Sequence, residues 1–93
     1  MRKTDKFIVE KTRHMSCTLC GTDDESAAHH CRSKGAGGSD IDWNLMPLCA
    51  RCHVPILHTY GLTECSRRFI EIKEWLMSND WYFCDLQNKW KHI

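Results

Sequence analysis

The chain has 93 residues, and its 13 basic and 12 acidic side chains give a formal net charge of +1. This length predicts a single domain, residues 1–93, with so modest a core that a metal staple is physically plausible. The near-neutral charge argues against a strong non-specific polyanion binder. No apolar run reaches the roughly 18 to 20 residues needed to span a bilayer, so we expect no membrane association.

Seven cysteines are many for this length, and the number is odd. The charged N-terminus contains no apolar stretch of the kind that marks a signal peptide. In a reducing compartment, paired cysteines favour zinc binding over disulfides. We therefore expect a soluble protein of the cytoplasm.

Residues 1–14 form a basic N-terminal arm. Its apolar residues Phe7, Ile8 and Val9 either pair as a short strand or stay in a mobile arm, and the sequence does not decide between these. The charges either form a local basic face or are scattered and solvated. The basic side chains of the arm are Arg2, Lys3, Lys6, Lys11 and Arg13.

Two Cys-x-x-Cys pairs predict a structural zinc site. Cys17 and Cys20 form the first pair, followed by Gly21, and Cys49 and Cys52 form the second. Zinc prefers four soft ligands in a tetrahedron, and each pair supplies one edge of it. The alternative is buried cysteines without a metal, which two correctly spaced pairs disfavour. The remaining cysteines, Cys31, Cys65 and Cys84, are expected in the core.

Two short strands are expected between the cysteine pairs. The first covers residues 26–31, where alternation would point His29 and His30 to opposite sides. A loop of about ten residues with three glycines follows. The second strand lies near Leu45 to Leu48.

Helices are expected after the second cysteine pair. Pro55 suits the first turn of a helix, and Gly61 is a plausible stop. A second, amphipathic helix is predicted over residues 64–78 from apolar residues at helical spacing. Trp81 and the aromatic residues after it then pack or pair as a short strand.

Three stretches of this chain resemble the HNH nuclease family. They are CTLC at 17–20, HHCRSKGAGG at 29–38 and NLMPLCARCH at 44–53. The resemblance is to the zinc-knuckle branch of the ββα-metal nucleases, which is often found in phages and prophages. It implies an α+β fold with a small ββα-metal core over residues 17–60, stapled by a zinc site of four cysteines. Residues 62–93 would add the C-terminal amphipathic helix and a tail.

The resemblance also implies residue roles. His30 would be the general base that takes a proton from the attacking water. Asn44 would hold the loop between the strands, and with it His30, through hydrogen bonds to the backbone. His29 and His53 would bind a catalytic divalent ion, in addition to the structural Zn²⁺. Imidazole suits Zn²⁺, Ni²⁺ or Mn²⁺ better than Mg²⁺, although relatives commonly work with Mg²⁺.

His58 departs from the family pattern. Family members often place a further histidine four residues after the equivalent of His53, whereas the gap here is five. On a regular helix that gap separates the side chains by about 140°, too far to share an ion. Pro55 could delay the start of the helix, or a π-bulge could restore the alignment. In either case His58 would be a third ligand; otherwise it is a surface or helix-capping histidine.

The leading hypothesis is a metal-dependent DNA endonuclease or nickase that hydrolyses phosphodiester bonds. If the chain is phage or prophage encoded, it would act in the cytoplasm of a bacterial host, with a phage or host protein as a candidate partner. The alternative is a non-catalytic zinc-stapled module with a degenerate HNH fold that binds nucleic acid or protein. Such a module needs only its cysteines, so the retained histidines and Asn44 favour the enzyme. A dithiol redox protein is disfavoured because neither cysteine pair opens a thioredoxin-like unit.

Overall fold

Two paired strands form the centre of the fold. The computed structural model describes residues 3–93. Strands β1 (Ser26–His30) and β2 (Leu45–Cys49) are antiparallel, in a register that places Ser26 opposite Cys49 and His30 opposite Leu45. All five residues of β2 are buried. Both strands lie where the sequence predicted them, within one residue at each end.

A helix precedes the sheet, where the sequence suggested a strand or a mobile arm. Helix α1 covers Lys6–Arg13 and packs against both strands. The Asp5 carboxylate caps it by accepting the backbone N–H groups of Phe7 and Ile8, which satisfies two donors that a helix start leaves unpaired. The expectation of a short strand or a mobile arm is therefore wrong for residues 6–13. The part of the predicted arm at residues 1 and 2 lies outside the described residues.

Three helical segments follow β2 directly in the sequence. They are α2 (Ala50–Cys52), a π-helix (His53–His58) and α3 (Thr59–Arg68). Gly61 interrupts α3 with φ 82° and ψ 162°, a conformation that glycine adopts easily. Helical structure thus stops at Gly61, as the sequence predicted, and resumes directly after it.

The amphipathic helix predicted over residues 64–78 is two helices. Helix α3 ends at Arg68, Phe69 is extended with φ −127° and ψ 113°, and α4 covers Ile70–Ser78. The prediction of one continuous helix is wrong at Phe69. The partly buried Phe69 packs against the core, and after the bend Ile72 and Leu76 of α4 are buried in it.

A hairpin closes the chain. Strands β3 (Trp81–Cys84) and β4 (Lys89–His92) are antiparallel, with Trp81 opposite His92. The indole N–H of Trp81 donates to the carbonyl of Trp43 at 2.7 Å, and the rings of Trp43 and His92 stack with centroids 3.6 Å apart. The tail is thereby attached to the segment that leads into β2. The sequence indicated a strand at Trp81 but not its partner β4.

The core lies between β2 and the helices that follow it. It contains residues from β2, the π-helix, α3, α4 and β3, namely Met46, Leu48, Leu57, Cys65, Ile72, Leu76 and Trp81. The architecture is a small α+β fold, as predicted. Among residues 3–93, no helix has both the length and the apolar character to cross a membrane.

Candidate active site and metal centres

The first cysteine pair lies in a tight turn before β1. The N–H of Cys17 donates to the carbonyl of Thr22, and the N–H of Gly21 donates to the carbonyl of Cys17, each at 2.9 Å. Gly21 has φ +76°, so the turn uses the left-handed conformation that glycine tolerates best. This turn brings the sulfur atoms of Cys17 and Cys20 to the same side.

The two predicted cysteine pairs converge. Cys49 ends β2 and Cys52 lies in the next helical turn, and the four sulfur atoms all lie within 4.8 Å of one another. The sulfurs of Cys20 and Cys49 are 3.6 Å apart. A tetrahedron with Zn–S bonds of about 2.3 Å has sulfur–sulfur edges of about 3.8 Å. The cluster therefore has the size and the soft ligands that a zinc ion requires.

The thiols influence one another strongly. Burial opposes ionisation of Cys49, but hydrogen bonds from the Cys20 thiol and the Cys52 backbone outweigh it and lower the pKa of Cys49 to about 6. Burial and the thiol of Cys49 raise the pKa of Cys52. Protons are thus divided unevenly within the cluster, because adjacent thiolates repel. A divalent cation would offset that repulsion and allow all four sulfurs to ionise.

A second cluster consists of three histidines. The Nδ1 atom of His29 lies 3.2 Å from Nε2 of His53, which is 3.0 Å from Nε2 of His58. The three rings meet edge to face, with interplanar angles of 74° to 83°. Three nitrogen ligands at about 2.0–2.1 Å from a tetrahedral ion are about 3.3 Å apart. The spacing and the imidazole ligands fit a transition-metal ion.

The π-helix aligns His58 with His53. Its wider turns bring residues five positions apart onto one face, whereas an α-helix does this for residues four apart. Pro55 has no N–H and cannot form the α-helical bond to the carbonyl four residues earlier. Within the π-helix, the hydroxyl of Thr59 donates to the carbonyl of Val54 at 3.2 Å. The five-residue gap, which looked unfavourable on a regular helix, is accommodated in this way.

The pKa values of two clustered histidines favour the uncharged form. Burial, and then the neighbouring imidazoles of His53, His58 and His30, lower the pKa of His29 to about 3. Burial and His58 also lower the pKa of His53. Both rings are therefore neutral at pH 7, and neutral imidazole is the form that binds metals.

His30 has a different partner from its neighbour in the strand. Its Nε2 atom lies 2.7 Å from Oδ1 of Asp40, and the two side chains are only 13% and 9% exposed. Asp40 was not among the predicted site residues, because it lies ten positions from His30 in a loop whose composition indicates only a turn. The position of that loop between two paired strands was the available signal, since strand pairing brings the loop back toward His30.

Asn44 holds the loop between β1 and β2. Its Oδ1 accepts the N–H of Arg32 at 2.7 Å, and its Nδ2 donates to the carbonyls of Arg32 and Ser39 at 3.1 and 3.0 Å. The side chain is completely buried, and both its donor and its acceptor atoms have partners. Gly38 makes this packing feasible, because a Cβ atom there would lie 1.7 Å from the Arg32 carbonyl oxygen.

The histidines share one open cleft of about 770 Å³. His29, His30, His53 and His58 all line it, together with Asp40, so the strand does not separate His29 from His30 as strictly as alternation predicts. The cleft wall also contains the basic side chains of Arg13 and Lys34. Asn44 and the four cysteines do not line it; they support the cleft through the backbone.

The chain was compared with known proteins. Residues 17–56 match the family model described as HNH endonuclease. Comparisons with curated proteins and with solved structures returned no significant match. The matched segment contains both cysteine pairs, His29, His30, Asn44 and His53, while His58 lies two residues beyond its end. Residues 17–56, the segment that contains these cysteines and histidines, are thus similar to the HNH endonuclease family.

Proposed function

We propose that this protein is a metal-dependent endonuclease that hydrolyses phosphodiester bonds in DNA. One observation carries the proposal: the ring nitrogens of His29, His53 and His58 converge in the same cleft that His30 lines. Similarity to a nuclease family supports the reaction class. Its working compartment would be the cytoplasm, where reducing conditions keep the cysteine thiols free to bind metal.

The four cysteines would bind a structural Zn²⁺. Cys17 and Cys20 come from the turn before β1, and Cys49 and Cys52 from the junction of β2 and α2. An ion there would tie the two ends of the hairpin together. In a domain with a small core, this metal binding contributes directly to the free energy of folding.

The three clustered histidines would bind the catalytic divalent ion. Their ligand chemistry favours Zn²⁺, Ni²⁺ or Mn²⁺, and Mg²⁺ remains in the set to be tested. When bound, the ion supplies Lewis-acid stabilisation of the negative charge that grows on the phosphate oxygens. His30 takes the proton from the attacking water, which the neutral imidazole of a histidine can do near pH 7. Asn44 keeps the loop behind His30 closed.

Charged side chains of both signs line the cleft. Arg13 and Lys34 could contact a phosphate backbone there, and Glu25 and Asp40 are the acidic residues of the same wall. Arg13 is partly neutralised by ion pairs with Glu10 and Glu25. Together with the net charge of +1, this predicts weak DNA binding that falls steeply with salt.

Nicking of supercoiled plasmid tests the proposal. Pure protein is incubated with Mg²⁺, Mn²⁺, Ni²⁺ or Zn²⁺, with an EDTA control. We expect nicking that EDTA stops and that His30→Ala reduces by about 100-fold or more. His14→Ala is the matched control, because His14 is exposed and belongs to neither cluster. Cutting by His30→Ala at the wild-type rate would contradict the role of His30. Binding without cutting under every metal would favour the non-catalytic module instead.

A further inference from the structure

A buried carboxylate lies behind His30. The contact between Oδ1 of Asp40 and Nε2 of His30 is 2.7 Å long. Asp40 as a whole is 6% exposed. Hydrogen bonds to an ionised carboxylate are shorter and stronger than those between neutral groups, and a low-dielectric setting strengthens them further. This contact therefore has the geometry to fix the position of the His30 ring.

Asp40 is itself held from the other side. Its Oδ2 accepts the backbone N–H of Asp5 at 2.9 Å, and its own N–H donates to the carbonyl of Lys3 at 2.8 Å. These partners are more than thirty positions away in the sequence and belong to the segment that starts α1. Both carboxylate oxygens thus act as acceptors, one toward a backbone donor that cannot change its direction and one toward His30.

We propose that Asp40 is a positioning residue, which fixes the orientation of His30 and holds its neutral ring in the tautomer protonated at Nε2. An ionised carboxylate can only accept, so the nitrogen facing it must carry the proton. The lone pair of the neutral ring is then on Nδ1, the atom that takes the proton from water. The catalytic part of this inference rests on the proposed function; the tautomer does not.

Replacement of Asp40 by asparagine exchanges one of the two carboxylate oxygens for an NH₂ group. The amide has one acceptor where the carboxylate has two. If its oxygen keeps the Asp5 N–H, its NH₂ group faces Nε2 of His30 and requires a lone pair there. The ring then carries its proton on Nδ1, the opposite tautomer. Asp40→Asn thus keeps the size of the side chain and reverses the hydrogen-bond pattern.

The tautomer can be read by long-range ¹H–¹⁵N NMR of zinc-loaded protein with ¹⁵N-labelled histidines. The His30 signals are assigned by their loss in His30→Ala. We expect the proton on Nε2 in the wild type and on Nδ1 in Asp40→Asn. Asp42→Asn is the matched control. It also removes one carboxylate charge, but Asp42 lies two residues after Asp40 and its side chain is 59% exposed. It should leave the His30 tautomer unchanged.

Plasmid nicking by the same variants supplies the second readout. Exchanging the carboxylate partner of a catalytic imidazole for an amide costs up to about 10⁴-fold in kcat. We expect Asp40→Asn to lose about 10²- to 10⁴-fold in kcat with little change in KM, because the buried side chain does not contact DNA. Asp40→Glu retains two acceptors and should keep the Nε2 proton and recover part of the rate.

The outcomes distinguish the two proposals. A wild-type ring protonated on Nδ1 would overturn the role of Asp40 whatever the variants do. Unchanged tautomer and rate in a folded, zinc-loaded Asp40→Asn would overturn it as well. The wild type could fail to cut DNA while Asp40→Asn still reverses the tautomer of His30. That result would refute the proposed nuclease function and support the role of Asp40 in fixing the tautomer.

Discussion

Gly38 offers a quantitative test of the loop that supports the active site. A Cβ atom at this position would lie 1.7 Å from the carbonyl oxygen of Arg32 and 2.6 Å from its carbonyl carbon. Normal contacts are about 3.5 Å or longer, so Gly38→Ala requires the backbone at Arg32 to move by about 2 Å. The atom that must move is backbone, and a change of side-chain rotamer cannot relieve the contact.

The cost of that movement follows from Asn44. Its amide bonds both the N–H and the carbonyl of Arg32, at 2.7 and 3.1 Å. A shift of about 2 Å breaks both bonds, and each buried polar group left without a partner costs about 1–3 kcal/mol. We therefore expect Gly38→Ala to lower the free energy of unfolding by about 2–6 kcal/mol. This is a large part of the stability of a small domain.

Urea unfolding of zinc-saturated protein measures this difference, and the neighbouring glycines supply controls. Among residues 3–93, and apart from its chain neighbours, nothing lies within 4 Å of a Cβ atom placed on Gly35, so Gly35→Ala should change stability by no more than about 0.5 kcal/mol. Gly37 has equal space but φ +85°, and Gly37→Ala should cost about 1–2 kcal/mol. If Gly38→Ala unfolds at the same urea concentration as Gly35→Ala, the tight contact and its link to Asn44 are refuted.

Two further predictions concern the metal-binding side chains. His58→Ala should weaken Ni²⁺ or Mn²⁺ binding at the histidine cluster by about tenfold or more. Calorimetry on protein that keeps its zinc measures this affinity, and the control His14→Ala should leave it unchanged. Equal affinities of His58→Ala and the wild type would remove His58 from the ligand set. In zinc-loaded protein, we expect iodoacetamide to modify Cys84 alone. Zinc would protect the four thiols that bind it. Burial raises the pKa of the Cys65 thiol and raises that of the Cys31 thiol to about 12, so both should react slowly. Mass spectrometry should find all seven cysteines modified after chelation in denaturant, and early labelling of Cys65 in the native protein would contradict its burial.

The sequence was most informative where the chemistry is local. Two residues between paired cysteines bring two thiols together, and the four sulfur atoms lie within 4.8 Å of one another. The buried strand β2 also lies where the sequence predicted it. Ring nitrogens of His29, His53 and His58 lie within 4.8 Å of one another, and their role as ligands stays a prediction. For His58 the sequence supplied both the problem, a five-residue gap, and the element that solves it, because Pro55 prevents a regular α-helix.

The sequence was least informative where long-range contacts decide the structure. The apolar periodicity continues across Phe69, so no local signal marks the bend that brings α4 onto the core. Asp40 lies ten residues from His30 and 35 residues from Asp5, and only the folded chain brings the three together. Helix α1 had a local signal in its Asp5 cap, but three adjacent apolar residues suggested a strand as strongly.

The two candidate metal sites are adjacent along the backbone, so an ion bound by the cysteines would have an effect beyond stability. Cys52 is followed directly by His53, and β2, which ends at Cys49, holds His29 through the pairing of His29 with Met46. Metal–ligand distances must be correct to about 0.2 Å. A small core contributes little packing to hold three imidazoles in place, and His58 is exposed. An ion on the four sulfurs would fix the junction of β2 and α2, and with it the position of His53 relative to His29. The cysteine cluster, one residue away, would in this way contribute to the accuracy of the histidine cluster.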